Sequence, residues 1–156
     1  MRKISVFIFL SVIAFASCKK DNTNNCSAVN ITAPASEVET LRAYITANSI
    51  SATEDPRGFF YKINIAGSGD KPTVCNAVTV NYKGTLTNGT QVDAANNVTL
   101  DLSRLIIGWQ EGIPLIGTGG SITLYLPPSL AYGSSDYGNI PGNSILIFNI
   151  DLIAVN

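Results

Sequence analysis

Hydrophobic positions fall into several rhythms along the chain, and each change of rhythm predicts an element. From Ile4 to Phe15 the sequence is almost continuously apolar, directly after Arg2 and Lys3. That run is shorter than the roughly 20 residues a membrane-spanning helix needs, so residues 1–17 read as an export signal. Residues 18–35 are polar, rich in Asn and Thr and without period, as a flexible tether would be. In SEVETLRAYITAN, Val38, Leu41 and Ile45 share a helical stripe, and Ser36 with Glu39 has capping-box spacing. This predicts an amphipathic helix from about Glu37 to Ala47, within an N-terminal unit of residues 36–57.

Beyond the turn Asp55–Gly58 the period becomes two. Phe59, Tyr61, Ile63 and Ile65 alternate with Phe60, Lys62 and Asn64, which reads as a strand. AVTVNYKGTL alternates through Val78, Val80 and Tyr82, and Asn88-Gly89 is a hairpin signal that returns the chain as an antiparallel partner. Val98, Leu100 and Leu102 form another short alternating run. Gly108, Gly112 and Pro114 then limit the next helix to about two turns. SITLYLPP is a strand stopped by two prolines, SLAYGSSDYGNIPGN is a long loop, and SILIFNIDLIAV is the last and most apolar strand. Together these predict an α+β fold: an antiparallel sheet, one short helix packed across it, and an additional N-terminal helix.

With 156 residues, 46% of them hydrophobic and 13% charged, the chain suits one domain with short extensions. Ten Lys and Arg against 11 Asp and Glu form no basic stripe, so nucleic acid is not an expected partner. There is no histidine, which removes Ser/His and Cys/His nucleophilic schemes and the commonest zinc sites. Catalysis is left to carboxylates, hydroxyls, backbone groups or shape, and neither metal nor cofactor is expected. Ala16 and Ser17 before Cys18 resemble a bacterial lipobox, with Phe15 where Leu is usual. On that reading the signal is cleaved before Cys18 and the Cys18 thiol carries lipid; the alternative is an ordinary secretory signal. The remaining cysteines, Cys26 and Cys75, would sit outside the reducing cytosol. Either they form a disulfide or they stay as two free thiols.

Three stretches, VTVNYKGTLTNGTQVD, LIIGWQEGI and LAYGSSDYGNIPGNSILIFNIDL, occur in the order in which they resemble the FKBP-type peptidyl-prolyl cis/trans isomerase family. The resemblance covers about residues 58–156, which it implies form the isomerase domain. It implies an FKBP-like half-barrel sheet wrapped around the short helix, with an apolar hollow between them for the X–Pro bond. Trp109 would be the floor of that hollow, with Gly108 leaving the backbone beside it bare. Tyr82, Asp93, Ile106, Tyr132 and Phe148 would complete the catalytic set, the Ile106 amide and the Tyr132 hydroxyl each meeting a substrate carbonyl. Val92, Val98, Leu105 and Ile140 would line the substrate pocket.

Val92 and Val98 stand where the family usually has aromatic residues. Their smaller side chains would cost on the order of 1–3 kcal/mol of contact per position. The implied partners are proline-containing polypeptides, with macrolides as potential inhibitors and a membrane reached through lipid on Cys18. A monomer is expected. Three functions remain open: an isomerase assisting the folding of exported proteins on the periplasmic side or cell surface, a weakly active binding module or chaperone, or a structural lipoprotein that uses the helix near Leu41.

Overall fold

The alternating stretches of the sequence become strands of one sheet. The structure, a computed structural model, describes residues 26–27 and 29–156; the export signal, Cys18 and the start of the expected tether lie outside the described residues. In chain order the elements are α1 (Ala35–Ala47), β1 (Thr53–Glu54), β2 (Phe60–Ile65), β3 (Ala77–Leu86), β4 (Gln91–Asp101), α2 (Ile107–Gly112), β5 (Ser121–Leu126) and β6 (Leu146–Val155). The strands form one sheet in the order β1-β2-β5-β6-β3-β4, and every pairing is antiparallel. β6, the most apolar, lies between β5 and β3. Its Leu146, Phe148, Ile150 and Leu152 are buried on one face, while Asn149, Asp151 and Ile153 stay exposed on the other.

The Asn88-Gly89 signal produces the β3–β4 hairpin. Gly89 N–H donates to Leu86 O at 3.0 Å and Leu86 N–H to Thr90 O at 2.9 Å, with Gly89 at φ 84°. That is a tight turn followed by a left-handed residue, the conformation glycine tolerates best. β4 joins the hairpin partner expected after Gly89 and the Val98–Leu100 part of the next run into one strand of 11 residues, interrupted by a bulge where Asn97 takes φ 53° and donates its N–H to Asn81 Oδ1.

α2 crosses the inner face of the sheet at very short range. A β-carbon on Gly108 would lie 2.4 Å from Leu126 Cδ2, and one on Gly112 2.6 Å from Leu124 Cδ2. The glycines are therefore contact surfaces for β5. The expectation that Gly108 leaves the backbone beside Trp109 bare is corrected: Leu126 packs into that space.

Three other local expectations change. α1 begins at Ala35, after Pro34, whose fixed φ suits a helix start, so Ser36 lies inside the helix and caps nothing. Glu39 pairs with Arg42, and Glu37 instead reaches the Ser129 N–H at 2.8 Å, tying α1 to the loop after β5. In β2, Tyr61 and Ile63 do face inward, opposite Leu124 and Ile122, although Ile63 is 40% exposed; a bulge after Ile63 then sets Ile65 opposite Ser121, off that face, where it is 59% exposed. Phe60, on the other face, is buried, which simple alternation does not predict.

The expected free tether is docked from Cys26 onward. Cys26 is disulfide-bonded to Cys75, with their Cα atoms 5.5 Å apart. Ile31 N–H donates to Glu111 Oε1 at 3.1 Å, Ala33 N–H donates to Arg57 O at 2.9 Å, and Ala33 is buried. Glu111, on α2, is itself buried, with Arg57 Nε 3.8 Å from its Oε2. Arg57 bonds Asp55 through both Nε and Nη2, at 2.7 and 2.9 Å, and covers the Phe59 ring. Burial raises the Glu111 carboxyl above its ordinary range, against the pull of the Ile31 amide and Arg57. Burial also acts upward on Asp55, but its bonds from Arg57 prevail and hold it below that range.

Two outcomes follow. Replacing Gly108 by Ala forces Leu126 or the helix to shift and should destabilise the fold by about 1–3 kcal/mol, read by urea unfolding. For Glu111 the folded state keeps a proton to higher pH than the unfolded chain, so its contribution is full below the unfolded carboxylate range and is lost as pH rises through the raised value. Glu111→Gln removes that loss. Unfolding titrations from about pH 4 to about pH 7 should therefore show the variant gaining on the wild type as pH rises, whereas an unchanging difference would contradict the assignment.

Candidate active site

The hollow is assembled from five separate parts of the chain. Tyr82 comes from β3 and Asp93 and Leu100 from β4; Leu105, Ile106 and Trp109 come from the turn into α2, Tyr132 from the loop after β5, and Phe148 from β6. They enclose about 80 Å³. That is room for two or three water-sized groups or one small ring.

Trp109 is held by its neighbours' edges. Its ring centroid lies 5.0 Å from that of Tyr82 at 84° and 5.2 Å from that of Phe148 at 87°, two edge-to-face contacts of the kind aromatic quadrupoles favour. Phe148 can sit there because Gly84 on β3, directly across from it, has no side chain: a β-carbon would lie 2.5 Å from the Phe148 ring. Trp109 and Phe148 are almost fully buried, so the indole is fixed before any ligand arrives.

The polar groups stand on the rim. Tyr82 Oη donates to Asp93 Oδ2 at 2.6 Å. Burial, and then this bond, push the Tyr82 hydroxyl well above the usual tyrosine range. Burial likewise raises Tyr132, with the Asp93 charge and Tyr137 adding to it. Both phenols are neutral hydrogen-bond donors at neutral pH. The Ile106 N–H, at the residue before α2, finds no protein acceptor among the described residues. The Gln110 amide donates to Ser103 O and Leu105 O, at 3.2 and 2.7 Å, and so fixes the turn carrying Leu105 and Ile106.

A family model described as FKBP-type peptidyl-prolyl cis-trans isomerase matches residues 69–153, more than half of the chain. The chain belongs to that family. It is 41% identical over 120 residues to the FKBP-type peptidyl-prolyl cis-trans isomerase FkpA of Buchnera aphidicola, covering 74% of this chain and 47% of the relative. The crystal structure of FkpA from Escherichia coli superposes with a TM-score of 0.71 at 34% identity, covering 78% of this chain and 60% of that one. A peptidyl-prolyl cis-trans isomerase from Pseudomonas syringae pv. tomato gives 0.69 at 28% identity, covering 80% of this chain and 97% of that one. The chain spans about half the length of the curated relatives it matches.

Of the residues the FKBP resemblance implies for the site, Tyr82, Asp93, Leu105, Ile106, Trp109, Tyr132 and Phe148 meet at the hollow. Val92, Val98 and Ile140 do not line it. Val92 is the extra residue of a bulge, between the pairs Gly84–Asp93 and Thr85–Gln91, and packs half-buried at the core edge. Val98 pairs with Val80 on the inward face, but its side chain is short, and the longer Leu100 two positions on takes the place at the hollow. Ile140 is buried as the anchor of the loop, its N–H and C=O both bonded to Tyr137. Leu100 was legible as part of an alternating run, but nothing in the sequence favoured it over Val98.

The Tyr82–Asp93 bond links β3 to β4 at the rim of the hollow. A double-mutant cycle with Tyr82→Phe and Asp93→Asn, read by urea unfolding, should give a coupling of about 0.5–1.5 kcal/mol; additive single effects would show that the two groups act independently.

Proposed function

We propose that this chain is a peptidyl-prolyl cis/trans isomerase acting on proline-containing polypeptides. The single observation that carries the proposal is the small apolar hollow floored by Trp109 and rimmed by neutral donors. Rotation about an X–Pro bond crosses a barrier of about 18–20 kcal/mol because the planar amide is stabilised by charge-separated resonance. Water favours that separated form. A proline ring resting on Trp109 between Leu100, Leu105 and Phe148 would take the imide out of water and weaken the resonance. The Ile106 amide and the Tyr132 hydroxyl are donors for the substrate's carbonyls, holding the flanking chain while the bond twists. No nucleophile is needed, which suits a chain without histidine.

The wider setting belongs to the same proposal. Residues 1–17 act as an export signal, Cys18 carries lipid and holds the protein to a membrane on the periplasmic side or cell surface, and residues 58–156 work there as a monomer on exported proteins. Support comes from the Arg2-Lys3, apolar run and Cys18 order, and from a Cys26–Cys75 bond suited to an oxidising compartment. Macrolides that present a ring to the same hollow are expected to compete with substrate.

The test is NMR exchange on short X–Pro peptides with the full chain. Acceleration is expected. Trp109→Leu should cut kcat/KM by about one to two orders of magnitude through lost apolar contact, and Tyr132→Phe by about fivefold through one lost hydrogen bond, each with the fold verified by circular dichroism. A folded wild type that binds such peptides without accelerating exchange would make the chain a binding module with this fold.

A further inference from the structure

Among the described residues, Ile31, Ile63, Ile65, Tyr137 and Ile153 are the large hydrophobics left exposed, and Tyr137, at 62%, is the most exposed and the only aromatic. Single exposed apolar residues are ordinary on a protein surface. Tyr137 differs in how it is held. Its ring stacks on Tyr132, centroids 4.6 Å apart and planes 21° from parallel, and Tyr132 lines the hollow. The lining of the hollow, with Trp109 at its floor and Tyr132 at its rim, therefore extends to a second ring that is mostly exposed.

The loop keeps that ring in place. Tyr137 and Ile140 exchange both backbone hydrogen bonds at 2.9 Å around Gly138, which takes φ 58°. Ile140 is buried in the core, so the tight turn is anchored from below. Gly142 N–H donates to Asp136 Oδ1 at 2.8 Å, and Asn143 N–H to Gly133 O at 2.9 Å, closing the loop at its base. A flat ring fixed in advance, stacked on its neighbour and mostly exposed, offers contact at little cost in ordering.

We propose that Tyr137 is a substrate-contacting residue: stacked on Tyr132, it forms an aromatic shelf beside the hollow and selects polypeptides with an aromatic side chain flanking the proline over an aliphatic one of equal size. This rests on the isomerase reading of the hollow. The selectivity comes from the ring's quadrupole, since a saturated ring of the same bulk gains the apolar contact but not the aromatic pairing.

The experiment compares peptides in which the residue before or after proline is phenylalanine or its saturated analogue cyclohexylalanine, using the full chain and NMR exchange. In one of the two positions the wild type should turn over the phenylalanine peptide about two- to tenfold better in kcat/KM. Tyr137→Leu should bring that ratio to about one, and Tyr137→Phe should retain it. A wild-type ratio of one in both positions, or a ratio that survives Tyr137→Leu, overturns the shelf. If no peptide is turned over, the isomerase reading fails and dissociation constants from NMR titration decide the shelf separately. A phenylalanine preference lost only in Tyr137→Leu then supports it, and equal affinities overturn it.

Discussion

Everything at the site depends on how near a helix of six residues can come to a strand. α2 is too short to be stable as a helix by itself, so packing must hold it. Gly108 and Gly112 supply the condition for that packing by leaving Leu126 and Leu124 of β5 free to press against the helix backbone. With two glycines turned to the sheet, Trp109 is free to present its indole to the side, where β3 and β6 meet it with Tyr82 and Phe148. A similar bargain recurs at Gly84, whose missing side chain admits Phe148. The floor of the hollow is thus defined by where side chains are absent as much as by where they are present.

The chemistry that such a floor supports needs neutral donors and a dry apolar surface more than it needs reactive groups. Burial raises Tyr82 and Tyr132 in the direction that keeps their protons on. Asp93, spent on accepting from Tyr82, orients that phenol and brings negative charge to the rim opposite Tyr132. The same desolvation that would weaken amide resonance in a bound X–Pro bond also protects these hydroxyls from ionising, so one physical cause serves both.

What could be read from the sequence was whatever one periodicity or one residue type decides locally. The glycine in Asn88-Gly89 requires a left-handed position, and the hairpin formed there. The alternation read in β3 marked the buried face correctly at Val78 and Val80, where strands flank it on both sides. β2 failed the same test for a reason alternation cannot carry: a bulge after Ile63 sets Ile65 opposite Ser121 and breaks the period. Val92 stands off the hollow for the same reason, while Val98 faces inward and Leu100 takes the place at the hollow. A bulge inserts a residue without marking the sequence, so positions counted along β4 lose their correspondence with positions around the hollow. Ser36 and Glu39 had the spacing of a cap, but Pro34 started the helix earlier and made the spacing irrelevant.

The part no pattern announced is the segment before α1. A polar, aperiodic stretch reads as tether, yet from Cys26 it lies against the domain, bonded to Cys75 at one end and burying Ala33 at the other. Between them the Ile31 amide meets Glu111, two residues from Trp109 on the same short helix. A carboxylate buried this deeply is costly unless donors face it, and among the described residues its hydrogen bond comes from this segment while the charge facing it is Arg57, from the turn before β2. α2 is therefore fixed from two directions by different physics: apolar contact through its glycines toward β5, and a buried polar contact through Glu111 toward the N-terminal segment. A boundary drawn at Gly58 from the resemblance alone would cut away Ile31 and Cys26, together with half of what holds the helix under the site.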